Sequence, residues 1–348
     1  MGESTDIEPR DLNDDSNDVN NSGSDVISRE LPPARPFWHI MLVRPETMTF
    51  LLLIAGLFGA SLLSPFFLDV DYILRSFTLT AEMSIVALVL TMVVISGEID
   101  LSPAANMALS ACIFAWVNDA GLALPLSVCV GLLAGLTMGA INAFMSIRLQ
   151  LPSIIVTIGT LIFYRGLAQV IAGDSSIRLP ETFIGINNVM LFGVPLPVVI
   201  FVVIAIILGL ILGTTVIGRQ IYQIGTNQNA ALHAGINAKR IKVGLFLLLG
   251  VVSAAAGIMA ASRLGSVRYD LVQGGELQMV LMAMLGGTYI FGGRGTILGT
   301  FLAAWLLVIV STGMTVANLM PAIQLTVLGI LLIVAIIATN FIYARTQR

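Results

Sequence analysis

Five ionisable side chains stand inside or at the rim of long apolar runs: Glu82, Glu98, Asp100, Arg165 and Glu276. A charge at mid-bilayer costs at least ~2.5 kcal/mol, so in a membrane chain such residues mark a solute path, a gate or a fixed ion pair. Arg165 lies six residues before the end of its run at Ile171, and Glu82 lies five after the start of its run at Phe77. At helical rise these depths are about 9 Å and about 8 Å, so the two are expected to pair across two helices near the outer mouth. The competing expectation is Arg165 reaching alone to the outer interface. The stretch Ser96-Gly97-Glu98-Ile99-Asp100-Leu101-Ser102-Pro103 joins two runs with two carboxylates. Ser102 or Asp100 suits a helix N-cap and Pro103 a first turn, which leaves Glu98 to line the path or bind a neighbouring amide.

The basic residues cluster elsewhere. Residues 218–243 interrupt two apolar runs and carry Arg219, Lys239, Arg240 and Lys242. So much positive charge in a chain with few charges places this segment in water on the cytoplasmic side. Its middle, from Asn229 to Gly235, reads as a short helix closed by a glycine. We expect this segment to be the surface through which another protein drives the membrane part.

The elements that must position these residues are membrane helices. The chain has 348 residues, of which 57% are hydrophobic and 11% charged, far from the balance of a soluble domain. Apolar runs of spanning length cover residues 48–64, 77–95, 122–147, 154–171, 197–217, 243–261 and 320–342. Three shorter runs, at 104–117, 277–290 and 297–310, are short spans or re-entrant pairs. The fold class is therefore an all-α polytopic membrane protein of about ten transmembrane helices with both termini cytoplasmic. That orientation puts twelve basic residues inside and four outside, as the positive-inside rule requires. Residues 1–30 hold nine acids and two bases, a net −7, and lack large apolar side chains. Residues 1–46 are therefore expected to be a disordered acidic tail and pre-membrane segment, residues 47–343 the transmembrane domain and 344–348 a short cytoplasmic tail. No charged and apolar leader of a cleaved signal precedes them.

Gly131, Gly135 and Gly139 recur every four residues, with Asn142 continuing the stripe, and Gly209 with Gly213 repeat the spacing. Small residues on one face let helix backbones approach closely. Two polar segments, 173–197 and 263–275, fall outside and could form a docking rim or plain connectors. Gly97-Glu98-Ile99 and Gly275-Glu276-Leu277 each open an apolar run, as expected of two related halves of five spans. Cys112 and Cys129 have no paired spacing, and His39 and His233 fall in different kinds of segment. No metal site is expected.

Enzyme signatures are missing. Neither lysine is followed by Ser or Thr, so there is no phosphate-binding loop of the G-x-x-x-x-G-K-[ST] type, and no H-E-x-x-H or G-x-S-x-G occurs. Gly292-Gly293-Arg294-Gly295 has no preceding strand, and Gly295 with Gly299 is expected to space a helix-packing face. An ion-coupled secondary transporter would need more ionisable residues near mid-bilayer than these.

Several separate blocks, in one order, resemble the ribose-type carbohydrate permeases of bacterial ABC importers from about residue 48 onward. They are Gly97-Glu98-Ile99-Asp100-Leu101-Ser102; Leu151-Pro152-Ser153 with Thr157-Ile158-Gly159-Thr160-Leu161 and Tyr164-Arg165-Gly166; Gly218-Arg219 with Gly225-Thr226-Asn227, Ala230-Ala231 and Gly235-Ile236; and Leu285-Gly286-Gly287 before Phe291-Gly292-Gly293-Arg294-Gly295. The chain departs from the pattern at Glu98, where many members have Gly, at Pro103-Ala104-Ala105, and at Gln228-Asn229, where a Pro-acid pair is common. Glu98 and Arg263-Leu264-Gly265-Ser266 are similar to the rhamnose-like and autoinducer-2-like branches. The resemblance implies a bacterial cytoplasmic-membrane permease subunit that imports a monosaccharide, related sugar or polyol by ATP-driven alternating access. It implies as partners an ABC ATPase subunit that holds the ATP and Mg, a periplasmic or lipoprotein sugar-binding protein and a second permease subunit, identical or not. Surrounded by membrane lipid, the chain itself would bind no cofactor and no nucleic acid and catalyse nothing. The resemblance also makes Arg219, Gly225, Asn227, Ala230, Ala231, Gly235 and Ile236 the ATPase-coupling element.

Overall fold

The computed structural model of the chain describes residues 45–63, 67, 69–185 and 189–346. The segment expected to be a disordered acidic tail lies outside the described residues up to position 44, as do residues 347–348. The described helices are, in order, α1 (Pro45–Leu63), α2 (Val70–Phe77), α3 (Ala81–Ile95), α4 (Pro103–Asp119), α5 (Leu124–Ala143, prolonged by a π-helical turn Phe144–Arg148), α6 (Ser153–Ala172) and α7 (Leu196–Thr214). They continue as α8 (Val216–Thr226), α9 (Gln228–His233), α10 (Ala238–Leu264), α11 (Gly275–Leu285), α12 (Ile297–Val316) and α13 (Pro321–Thr346). Four two-residue strands sit in the connections: β1 (Ile177–Arg178), β2 (Met190–Leu191), β3 (Val194–Pro195) and β4 (Ser266–Val267). Most of the described residues of the apolar runs are helical because an unpaired backbone amide or carbonyl costs several kcal/mol in hydrocarbon.

By length and composition, α5 with its π turn, α6, α7, α10 and α12 can each cross a membrane, and α2 with α3 is apolar enough only as a pair bent by 67°, a broken span or a re-entrant loop. The run at 77–95 is thus not one straight helix. Phe77 ends α2 fully buried, 4.2 Å from the Trp305 ring and 4.8 Å from Phe201. Anchoring that ring between α7 and α12 turns the chain before α3 begins. Of the three short runs, the one at 297–310 belongs to a helix of 20 residues. The one at 277–290 forms only the 11 residues of α11, about 16 Å long and too short to span alone. Helix α10 extends beyond its apolar run at both ends, and α13 continues to Thr346, past the expected boundary at 343.

Helix α3 is the axis of the fold. Every residue in it except Met83 is buried, and it packs against α7, α8, α10, α11 and α12. Around it, glycines set the helix spacing. A Cβ on Gly139 would strike the carbonyl of Phe246, and one on Gly250 would strike the carbonyl of Gly135, so α5 and α10 touch backbone to backbone. Gly257 meets the Met107 carbonyl of α4 in the same way, and Gly299 meets that of Gly286. The stripe at Gly131, Gly135 and Gly139 therefore packs as expected. Gly209 and Gly213 do not: no atom of the described chain lies within 4 Å of a Cβ at either, because that face of α7 points away from the other helices. Gly295 is also no part of a helix face, since it lies in the turn before α12 with φ +146°.

At the end of the molecule where α3 begins, the two polar connectors are joined. β1 pairs antiparallel with β4, Ile177 opposite Val267, and the Ser262 hydroxyl donates to the Phe183 carbonyl at 2.6 Å. The two connectors thus form one rim.

Replacing Gly139 by Leu inserts a side chain where only backbone fits. We expect it to lower the thermal stability of the detergent-purified protein by well over 1 kcal/mol, whereas Gly159→Ala, with nothing within 4 Å of the new methyl, should leave the melting temperature within a degree or two. Equal melting of the two variants would contradict the packing described.

Candidate functional site

The end of the molecule that carries Lys239, Arg240 and Lys242 brings four segments together. Helix α8 starts where the Thr215 hydroxyl accepts the Gly218 amide, and it ends at Asn227. The Asn227 side chain then caps α9 by accepting the Ala230 amide at 3.0 Å. Gly235, at φ +77°, closes α9, and Asn237 caps α10 through the Arg240 amide. The expected short helix is present, but it sits between two longer helices, so most of the presumed loop is helical. Ile224, Ala231, Ile236 and Ala238 form a small apolar cluster of their own that seats α9 against α8 and α10. Leu232 and Ala230 face out.

This helical unit is tied to α3 through backbone. A Cβ on Gly225 would collide with the Ile95 carbonyl and the Gly293 amide. The Gly293 amide donates to that same carbonyl at 2.8 Å. Gly292 and Gly293 take left-handed φ values of +86° and +76°, which an L side chain disfavours. Their neighbours within 3.2 Å of a built Cβ are Gly97, Gly225 and Thr226. The Tyr222 hydroxyl adds a 2.7 Å bond to the Gly295 carbonyl, and burial pushes this phenol above its ordinary range, so it stays a neutral donor. The glycine run of 292–295 is thus a contact between backbones.

One ammonium group completes the tie. Lys242 Nζ lies 2.7 Å from Glu98 Oε1 and donates at 2.7 Å to Gln228 Oε1, with side-chain exposures of 7% for the lysine and 16% for the glutamate. A charge so enclosed is stable only when paired, and removing one partner of a buried pair costs ~3–5 kcal/mol. Lys242 therefore links α10, the first residue of α9 and the turn between α3 and α4. Beside it opens a polar cleft of about 340 Å³ lined by Glu98, Ser146, Gln150, Ser153, Gln228 and Lys239 among others. Ser146 Oγ is buried there without a hydrogen-bond partner among the described residues, and Gln150 is held at φ +58°.

Asp100 is 3% exposed and belongs to a separate network. Its Oδ1 accepts the Ser102 amide at 2.8 Å. Asn142 donates to the Ser102 hydroxyl at 2.7 Å and lies 3.5 Å from Asp100 Oδ2. Tyr164 donates to Asn142 Oδ1 at 3.3 Å. Ser102 makes no side-chain cap, so the turn is closed by Asp100 instead of by the hydroxyl. Asn142, legible only as the end of a glycine stripe, binds α4, α5 and α6 together. Arg219 is exposed and, among the described residues, reaches only the Thr214 carbonyl, at 3.4 Å.

The expected pair of Glu82 with Arg165 does not form. Glu82 is paired with Arg263, Nε to Oε1 at 2.9 Å, because α10 runs on to Leu264 before Gly265 at φ +70° stops it. Arg165 Nη1 donates to the Tyr269 and Leu271 carbonyls, both at 2.8 Å. The carboxylates that act on it are those of Glu276 and Asp270. Glu276, in the first turn of α11, keeps Oε2 buried without a hydrogen-bond partner among the described residues. Among the described residues no group of three His, Cys, Asp or Glu converges as a metal site.

Charge exchange tests both pairs. Glu82→Arg and Arg263→Glu should each destabilise the protein by ~3–5 kcal/mol, and the double exchange should recover at least half of the summed loss in thermal unfolding, while Glu82→Arg with Arg165→Glu should recover none. The same pattern is expected for Glu98 with Lys242. Strict additivity of either pair would contradict the assignment.

Residues 72–336 match the family described as branched-chain amino acid transport system / permease component. The autoinducer 2 import system permease protein LsrD of Klebsiella pneumoniae subsp. pneumoniae is 34% identical over 304 residues, 85% of this chain and 91% of that protein. LsrD of an Enterobacter species is 33% identical over 304 residues, covering 85% and 92%, and LsrD of Salmonella typhimurium is 30% identical over 323 residues, covering 91% and 95%. No solved structure matches the chain. With its apolar helices and this match over most of its length, the chain is a multi-pass protein of the cytoplasmic membrane and belongs to this family of ABC importer permeases, on its autoinducer-2-like branch.

Proposed function

We propose that the chain is the permease subunit of an importer for a monosaccharide, related sugar or polyol, worked by a separate ATPase that grips its basic end. The observation that carries this reading is α9. It is a six-residue helix with Ala230 and Leu232 exposed, seated by its own apolar cluster and tied to α3 by Gly225 and Lys242. A lever of this kind has no use unless something pushes on it. The name of the LsrD relatives makes autoinducer 2 the first solute to test.

In this reading the basic end is cytoplasmic. α1, the bent α2–α3, α4 to α7, α10, α11 with its following turn, α12 and α13 make ten passes in two related halves. Halves of five passes have opposite orientation, and Gly97-Glu98 and Gly275-Glu276 do lie at opposite ends of α3: a Cβ on Gly275 would meet Met83, while Gly97 follows Ile95. ATP binding closes the ATPase pair, α9 moves with it, and the glycine junction carries the displacement into α3 and α12. The path then changes its open side. Arg219, Gly225, Asn227, Ala230, Ala231, Gly235 and Ile236 make the coupling element. Glu98 and Asp100 hold the inner gate, and Glu82, Arg165 and Glu276 hold the outer one. The rim built on β1 and β4 receives a solute-binding protein, periplasmic or lipoprotein, and a second permease subunit completes the path. ATP and Mg stay on the ATPase.

Proteoliposomes containing the chain with its ATPase and binding protein should accumulate autoinducer 2 or a labelled monosaccharide only with ATP inside. Asn227→Ala, which removes the α9 cap at a cost of ~1 kcal/mol, should reduce solute-stimulated ATP hydrolysis severalfold while leaving the complex assembled. Uphill transport by the chain without an ATPase would overturn the reading.

A further inference from the structure

Helices α5 and α10 cross in backbone contact at Gly135, Gly139 and Gly250, and a wedge lined by residues of both lies on the side of the basic end. The wedge between them has a volume of about 490 Å³. Its apolar lining is Ala140, Ala143, Phe144, Val243 and Leu247, and Arg148, Lys239 and Arg240 border it. The three cations are exposed, and none has an acidic partner within 4 Å among the described residues. Three other cations of the membrane part are held: Lys242 by Glu98, Arg263 by Glu82, and Arg165 by two carbonyls. Here, in contrast, three cations without an acidic partner among the described residues border one apolar slot.

We infer that this wedge binds one anionic phospholipid, the phosphate on Arg148, Lys239 and Arg240 and an acyl chain along Ala140, Phe144 and Leu247. The chemistry is that of the slot itself. Its apolar wall rejects a free anion, and its charge distinguishes an anionic headgroup from a zwitterionic one. Juxtamembrane basic residues each favour anionic lipid, so three set a preference of tenfold or more. The half-exposed ring of Phe144, 56% accessible, would lie against the acyl chain. A lipid held there packs on the first turn of α10, two residues before the Lys242 tie, and so favours one seating of the α9 unit.

The test uses the full chain, delipidated in neutral detergent, with bound lipid counted by native mass spectrometry against added phosphatidylglycerol, phosphatidylcholine or inorganic phosphate. One phosphatidylglycerol should be retained at least tenfold better than phosphatidylcholine, and phosphate should not displace it. Arg148→Gln with Lys239→Gln and Arg240→Gln should abolish the preference, and Ala140→Trp, which fills the slot without touching a charge, should abolish retention of both lipids. Both variants alter exposed positions, and unchanged melting temperatures certify their folding. Equal retention of the two lipids, an unaffected triple variant, or displacement by phosphate overturns the inference. Phe144→Cys, made in a Cys129→Ser background, should form no disulfide between copies in native membranes. If it does, the wedge is an interface between two copies. None of these measurements requires ATP or solute, so they fail or succeed independently of the transport assignment.

Discussion

Gly225 is the point on which the rest of the structure depends. At this position the end of α8, the end of α3 and the glycine turn before α12 approach so closely that no side chain fits between them. In hydrocarbon there is no hydrophobic force between helices, so close packing and satisfied polar groups must hold them. A glycine junction supplies the first, and the Ile95 carbonyl accepting the Gly293 amide supplies the second. A packed core of this kind does not deform gradually. It moves as a body or switches between discrete packings.

The charges follow the same logic at both ends of α3. Glu98 at one end and Glu82 at the other are each paired with a basic residue of α10, Lys242 and Arg263 respectively. One helix therefore clamps the other at two heights, and any rotation of α10 must break or carry both pairs. Two of the departures from the ribose-type pattern, Glu98 and Gln228, meet on the same ammonium group. The features in which this chain resembles its family and those in which it differs thus act on one contact.

Much of this was legible in the sequence, and what was not has physical causes. The apolar runs placed most helices, and the cap chemistry of Asn227 and Gly235 belongs to the same local rules that revealed α9. The stripe at Gly131, Gly135 and Gly139 was readable because its spacing is that of a helix face. The partner of Glu82 was not, because depth estimated from the ends of apolar runs assumes straight helices. The 67° bend before α3 and the extension of α10 to Leu264 both break that assumption. The run at 277–290 looked longer than α11 because apolar residues continue through a turn that Gly286 and Gly287 impose. The pairing of β1 with β4 joins residues about ninety positions apart, which two-residue strands do not announce. In the sequence Lys242 is indistinguishable from Lys239 and Arg240, since only tertiary packing separates a buried cation from its exposed neighbours.

The central claim is that the α9 unit and the glycine turn move as one body. Spin labels at the exposed positions Leu232 on α9 and Phe291 before the glycine turn report it directly, by electron–electron distance measurement in the assembled transporter with and without ATP. The predicted result is an unchanged distance between these two labels while their distances to a label at Phe192, on the hairpin at the opposite end, change. A shift of Leu232 relative to Phe291 on nucleotide binding would contradict the account.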